Sequence, residues 1–203
     1  AVGGECLYYV ERRHNDQLTF NLGSSLNIDF DRYNKGTVGL QLGTTKGMHY
    51  KTMDDLMGAK KYTDIDKFSV GDFGINSSYV QNDVDNPNRD IKEGDVFGYN
   101  YDLNVNKATL FYQHMFTKDI FNIFWSTHFD GTTMERFGHM RNGRAQEYSK
   151  GSSGTAKFFG AGTKFGITLP FDAYNTFSFY ACAYFSELSF GAALIFLFGG
   201  KRE

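Results

Sequence analysis

The stretch Leu18–Phe30, LTFNLGSSLNIDF, keeps an almost unbroken two-residue alternation. Leu18, Phe20, Leu22, Leu26, Ile28 and Phe30 hold the even positions, with Ser24 the one break. Thr19, Asn21, Gly23, Ser25, Asn27 and Asp29 hold the odd ones. Successive side chains of a strand point to opposite faces, so this is a strand with one apolar and one polar face. It is about twice the ordinary strand length of five or six residues. A crossing of a bilayer by a tilted strand of about 9–11 residues imposes this kind of sustained alternation.

The same pattern recurs on either side of turn-forming residues. After DRYNKG, with Asn34 and Gly36 suited to a turn, TVGLQLGTT sets Val38, Leu40 and Leu42 against Thr37, Gly39, Gln41 and Gly43. Alternation resumes at Tyr99, Tyr101, Leu103 and Val105, then shifts by one to Ala108, Leu110, Tyr112 and Phe116, which places a β-bulge near Asn106 and Lys107. Phe121, Ile123, Trp125, Thr127 and Phe129 follow the short connection TKD. Phe159 to Leu169 and Phe177 to Phe185 complete the set around PFDAYN. The expected fold is all-β: an antiparallel up-and-down meander of about six strands near 18–30, 37–45, 99–116, 120–129, 156–169 and 176–186.

Short turns alternate with two long polar stretches, 46–98 and 131–155, which places both long loops on one side. Transmembrane barrels pair short turns on one side with long loops on the other, whereas a soluble sandwich has no reason to. Residues 1–187 therefore read as a partial wall of a transmembrane β-barrel in the cell outer membrane. The lipid-facing set includes Phe20, Leu22, Ile28, Leu40, Phe121, Ile123, Phe165, Ile167 and Phe179. The first loop carries Tyr50, Tyr62, Phe68, Phe73 and Tyr79, more aromatics than solvation alone needs, so 46–98 is expected to fold on itself and form part of a ligand-receiving surface. Residues 188–203 form an apolar tail without alternation. The run 177–198 is also long enough for a membrane helix, although Glu187 interrupts it and its first ten residues alternate. A soluble β-sandwich binding module remains the alternative to the barrel.

Composition narrows the function classes. The 203 residues include 21 Phe, 13 Tyr and 23 Gly but 2 Pro, which favours strands and turns. A formal net charge of −2, with Lys and Arg scattered, gives no basic groove for nucleic acid. Cys6 and Cys182 fit neither a zinc nor a redox spacing. The opening AVGGECLYYVERRHND has charges where a signal peptide has its apolar centre, so either a signal has been removed or the chain begins inside a longer protein.

Four phrases carry a resemblance: HYKTMDDLMGAKKYTDIDKF, NDVDNPNRDIKEGDVFGYNYDL, GHMRNGR and GAGTKFGITL. They resemble the C-terminal β-barrel of TonB-dependent outer-membrane receptors, in the large-loop branch with a carboxypeptidase-regulatory-like extension. The likeness spans most of residues 18–187. It implies a piece of a 22-stranded receptor barrel involved in ligand binding and uptake. Its partners would be outer-membrane lipid, the rest of the barrel and its plug. TonB would be reached only through N-terminal parts not represented here, and the ligand would be a small molecule, peptide or glycan. The family's functional residues lie largely in the plug and the other parts not represented here, so the resemblance assigns none of them to this sequence. A structural or binding barrel without active transport stays open.

No catalytic, cofactor-binding or metal-binding residue is expected. Asp83, Asp85, Asn86, Asn88 and Asp90 offer hard oxygen ligands for calcium, but the spacing lacks the glycine and glutamate of an EF-hand loop, so they read as solvated loop acids. His14, His49, His114, His128 and His139 fall on different segments without a paired metal spacing. No nucleophile elbow appears, and the G-x-G of GAGTKFG lies inside a strand pattern, so no enzyme is expected.

Overall fold

A computed structural model of the chain describes residues 4–6, 8–170, 175–186 and 189–200, the last group by backbone alone. Among the described residues strand accounts for 69% and helix for 6%, so the fold is all-β. Seven long strands form one antiparallel sheet: β1 (Val10–Asp29), β2 (Asn34–Asp55), β5 (Val96–Lys118), β6 (Phe121–Gly138), β7 (Gly151–Pro170), β8 (Asn175–Ser186) and β9 (Ser189–Gly200). Their order, β1-β2-β5-β6-β7-β8-β9, is a meander once the small pair β3 (Tyr62–Thr63) and β4 (Asp90–Ile91) is set aside. Among the described residues β1 and β9 stand at the two ends of this order and are not paired with each other.

Three expectations change. The sheet has seven strands rather than six, because Ser189–Gly200 is no tail: it pairs with β8 from Ser186↔Ser189 to Asn175↔Gly200. Its uniform apolarity, GAALIFLF, hides the period on which strand reading depends. That pairing also rules out a membrane helix over the described part of 177–198, while Glu187, Leu188 and 201–203 lie outside the described residues. The strands are also longer than their alternation, so the loops shrink to 56–95 and 139–150.

The slip at Asn106–Lys107 has a different origin from a bulge. β5 is unbroken, and its odd-numbered side chains meet even-numbered β6 side chains both before and after that point: Tyr101 with Arg136, Thr109 with Asp130. A one-residue bulge in either strand would exchange that parity. The register holds while the polarity of the two faces swaps.

The chain divides into two compact units, described in turn. Unit 1 comprises Ala1–Thr19, Thr45–Val105 and Met134–Ala156; unit 2 comprises Phe20–Thr44, Asn106–Thr133 and Lys157–Glu203. In unit 1 the long insert does fold on itself. Cys6, Met53, Leu56, Tyr62, Ile91 and Phe97 form a buried cluster with Tyr9 and Ala59 against it. Tyr9, Tyr62 and Phe97 pack as a tilted aromatic trio with centroids 4.7–5.8 Å apart, a favourable arrangement for rings. Burial pushes the Tyr62 phenol well up, with a hydrogen bond to Tyr9 adding to the effect.

Unit 2 holds the strand segments with clean alternation. One face is apolar and exposed. The other is polar and cross-linked, by Thr37 Oγ1 donating to Asn27 at 2.8 Å, Thr109 to Asp130 at 2.6 Å, and the Thr168–Ser178 hydroxyl pair at 3.0 Å. On that polar face Gly39 and Gly162 leave room for the Phe111 and His128 rings, where a Cβ would collide. Glycine in a strand marks such close approach.

Candidate functional site

Two features have the character of functional surfaces, one in each unit. The first is the apolar face of unit 2. Phe20, Leu22 and Leu26 on β1 are 63%, 56% and 61% exposed, and the face continues through Leu40, Leu110, Phe121, Trp125, Phe159, Phe165 and Phe185. Ile28, Ile123, Ile167 and Phe179 of the expected lipid-facing set are half-buried by their neighbours on it. Trp125 Nε1 donates to Thr163 at 3.1 Å and its ring lies edge-on to Tyr112. Monomeric soluble proteins rarely leave a contiguous apolar patch this extensive uncovered. The β-segments bearing it, such as 20–29, 34–44, 106–118 and 157–170, run ten to fourteen residues each.

The second is a cleft of about 380 Å³ in unit 1, lined by Asn82 of the insert, Gly98–Tyr101 of β5, Arg136 of β6 and Met140–Ser149 of the β6–β7 loop. Arg136 sits over the Tyr101 ring at 4.7 Å and its Nη1 donates to the Ser149 carbonyl at 3.0 Å. His49 stacks on Tyr101 at 5.1 Å and contacts Asn15 at 2.9 Å, so a row of planar groups runs across β1, β2, β5 and β6. Cation–π stacking of this kind is attractive and holds a guanidinium flat.

The walls of the cleft are held by interlocked loops. Gly143 N–H donates to Gln81 O and Val84 N–H to Arg141 O, both at 2.8 Å. Any Cβ at Gly143 would strike the backbone at Ser78 and Gln81, so only glycine permits the approach. Beneath them Asp64, 2% exposed, accepts from Asn82 Nδ2 at 2.8 Å, Gly98 N at 3.0 Å and Arg89 Nη2 at 3.2 Å. A buried carboxylate is tolerable only when paired and hydrogen-bonded in this manner. Asp102 lies on the opposite face of β5. Burial pushes its carboxyl up, but Lys46 Nζ at 2.9 Å and His139 Nε2 at 3.2 Å outweigh that and hold it below the usual carboxylate range.

The acids considered for calcium are drawn into the scaffold instead. Asp83 accepts from Asn86 Nδ2 at 2.8 Å and from the Arg141 amide. Asp85 pairs with Lys150 at 2.5 Å and Arg141 at 3.4 Å, which holds its carboxyl low, and Asp90 pairs with Lys61 at 2.9 Å. The five histidines stay apart, with Thr52, Asn15, Tyr112, Asp130 and Asp102 as their respective partners. Among the described residues no three His, Cys, Asp or Glu side chains converge as metal ligands. Asp64, Arg136, Gly143 and Tyr148 were not singled out by the sequence, because no periodicity or spacing marks them. No family model, curated protein or solved structure matches the chain.

Proposed function

We propose that this chain is a section of the wall of a β-barrel in the cell outer membrane, of the TonB-dependent receptor kind, and that it takes part in ligand binding and uptake. The observation that supports this most is the exposed apolar face of unit 2. It is confined to strand segments of ten to fourteen residues, near the length of a tilted crossing. Its reverse face is polar, cross-linked by hydroxyls, amides and carboxylates, as the interior of a membrane barrel is. The aromatics of the resembling loop phrases lie in unit 1, on segments that the proposal places outside the bilayer.

Trp125 is the sole tryptophan and stands on the apolar face, so it reports lipid contact directly. The full chain folded into phosphatidylcholine vesicles should show Trp125 fluorescence quenched by lipid brominated on its acyl chains. Leu22→Arg should then cost about 2–4 kcal/mol of folding free energy in the vesicles, and Asn21→Arg on the other face much less. Unquenched Trp125, or equal costs at the two positions, would count against the membrane wall. The transport part of the reading fails if uptake that depends on this gene persists without membrane energisation.

A further inference from the structure

We infer that the cleft of unit 1 is a binding site for a small monovalent carboxylate built on a ring. The inference goes beyond the membrane reading and does not depend on it. Among the described residues Arg136 is the one charged side chain in the lining, alongside Asn82, Tyr99, Asn100, Tyr101 and Tyr148, and no carboxylate accompanies it. Half-buried arginines usually pair with an acid, yet Arg136 takes part in no salt bridge among the described residues. Among the described residues only Nη1 of its guanidinium is engaged, on Ser149 O, and Nε and Nη2 have no acceptor there. These two parallel donors are the edge that receives a carboxylate bidentately.

Stacking on Tyr101 holds the guanidinium plane in place before any ligand arrives, which lowers the ordering cost of binding. One fixed positive charge suits one negative charge; a multivalent phosphate would be left undercompensated. Tyr101 is already covered by Arg136 and His49, but Tyr99 and Tyr148 supply ring faces beside the guanidinium, so the body of the ligand is a ring that stacks. Asn82, Asn100 and Asn142 ring the same space; Asn82 Nδ2 is given to Asp64 and Asn142 Oδ1 to the Arg144 amide, which leaves the Asn82 carbonyl, the Asn100 amide and the Asn142 NH2 as the groups that can meet hydroxyls on that body. The volume of about 380 Å³ is at the small end for ligand sites, matching a one-ring acid. Two sources share this chemistry, an aryl carboxylate and a uronic acid.

The full chain in detergent micelles is titrated calorimetrically with sodium benzoate and with sodium glucuronate, each beside its neutral counterpart, benzyl alcohol or glucose. At least one acid should bind about tenfold or more tightly than its neutral counterpart. Binding of benzoate alone assigns an aryl acid; binding of glucuronate alone assigns a uronic acid. Arg136→Gln should weaken the acid about ten- to hundredfold. Because Arg136 also holds Ser149, Tyr148→Ala serves as a second variant. That side chain is 77% exposed and makes no hydrogen bond among the described residues, and its loss should weaken binding about two- to tenfold. Three results would overturn the inference: neither acid titrates, the neutral compounds bind as tightly, or both variants keep wild-type affinity with an unchanged circular dichroism spectrum.

Discussion

Replacing Asp64 by Ala removes the acceptor on which the insert of unit 1 converges. The carboxylate is 2% exposed and takes three donors, from Asn82, Gly98 and Arg89. Hydrogen bonds to a charged group contribute about 1.5–3 kcal/mol and a neutral one about 1 kcal/mol. The Arg89 side chain is 37% exposed and keeps a second acceptor, the Val96 carbonyl, so solvent screening reduces its share to little. Gly98 and Asn82 then carry the loss, which amounts to about 3 kcal/mol after allowance for non-additivity. The opening is local, so the measurement is hydrogen–deuterium exchange by mass spectrometry. Peptides covering 56–98 should exchange about a hundredfold faster in Asp64→Ala, with a smaller change in Asp64→Asn, which keeps one acceptor. Peptides covering 157–169 of unit 2 should not change. A rise below about fivefold, or an equal rise in 157–169, would refute the idea that Asp64 organises the insert.

Gly143→Ala should unlock the two loops of the cleft, because the new methyl meets the backbone carbonyls of Ser78 and Gln81. An overpacking cost of about 1–3 kcal/mol should appear as faster exchange in 78–84 and 141–149, while Gly71→Ala, with open space around its Cβ, should be neutral or slightly stabilising by thermal melt. Unit 1 should also lose stability in acid. Glu11, Asp66, Asp85 and Asp102 all titrate below their ordinary range when folded. Their contributions are therefore complete above the unfolded carboxylate pKa of about 4 and are lost as pH falls through the lower folded values. Asp102→Asn should flatten that dependence in an acid titration followed by near-ultraviolet circular dichroism; an unaltered profile would show that Lys46 and His139 do not act through it.

What local sequence determined was the unit 2 sheet. Alternation at Phe20, Leu22 and Leu26 against Asn21 and Asn27 identifies which side chains share a face, and in the folded chain the apolar ones are exposed while Asn27 is hydrogen-bonded across the strands. This works because a strand alternates in polarity wherever its two sides meet different surroundings. The code fails where that condition lapses. Residues 46–55 and 96–105 continue the strands and contribute Met53 and Phe97 to the cluster under the insert; alternation lapses in 46–55, and in 96–105 the apolar set moves to Tyr99, Tyr101, Leu103 and Val105, which looks like a bulge in the sequence. Ser189–Gly200 lacks polar residues to mark a second face and reads as a tail, yet pairs along its length with β8. Only tertiary structure could assemble the cluster of Cys6, Met53, Tyr62, Ile91 and Phe97, or bring Asn82, Tyr101, Arg136 and Tyr148 around one cleft. Their partners lie tens of residues apart in sequence, and such meetings are set by loop closure and packing, which leave no periodic trace in the chain.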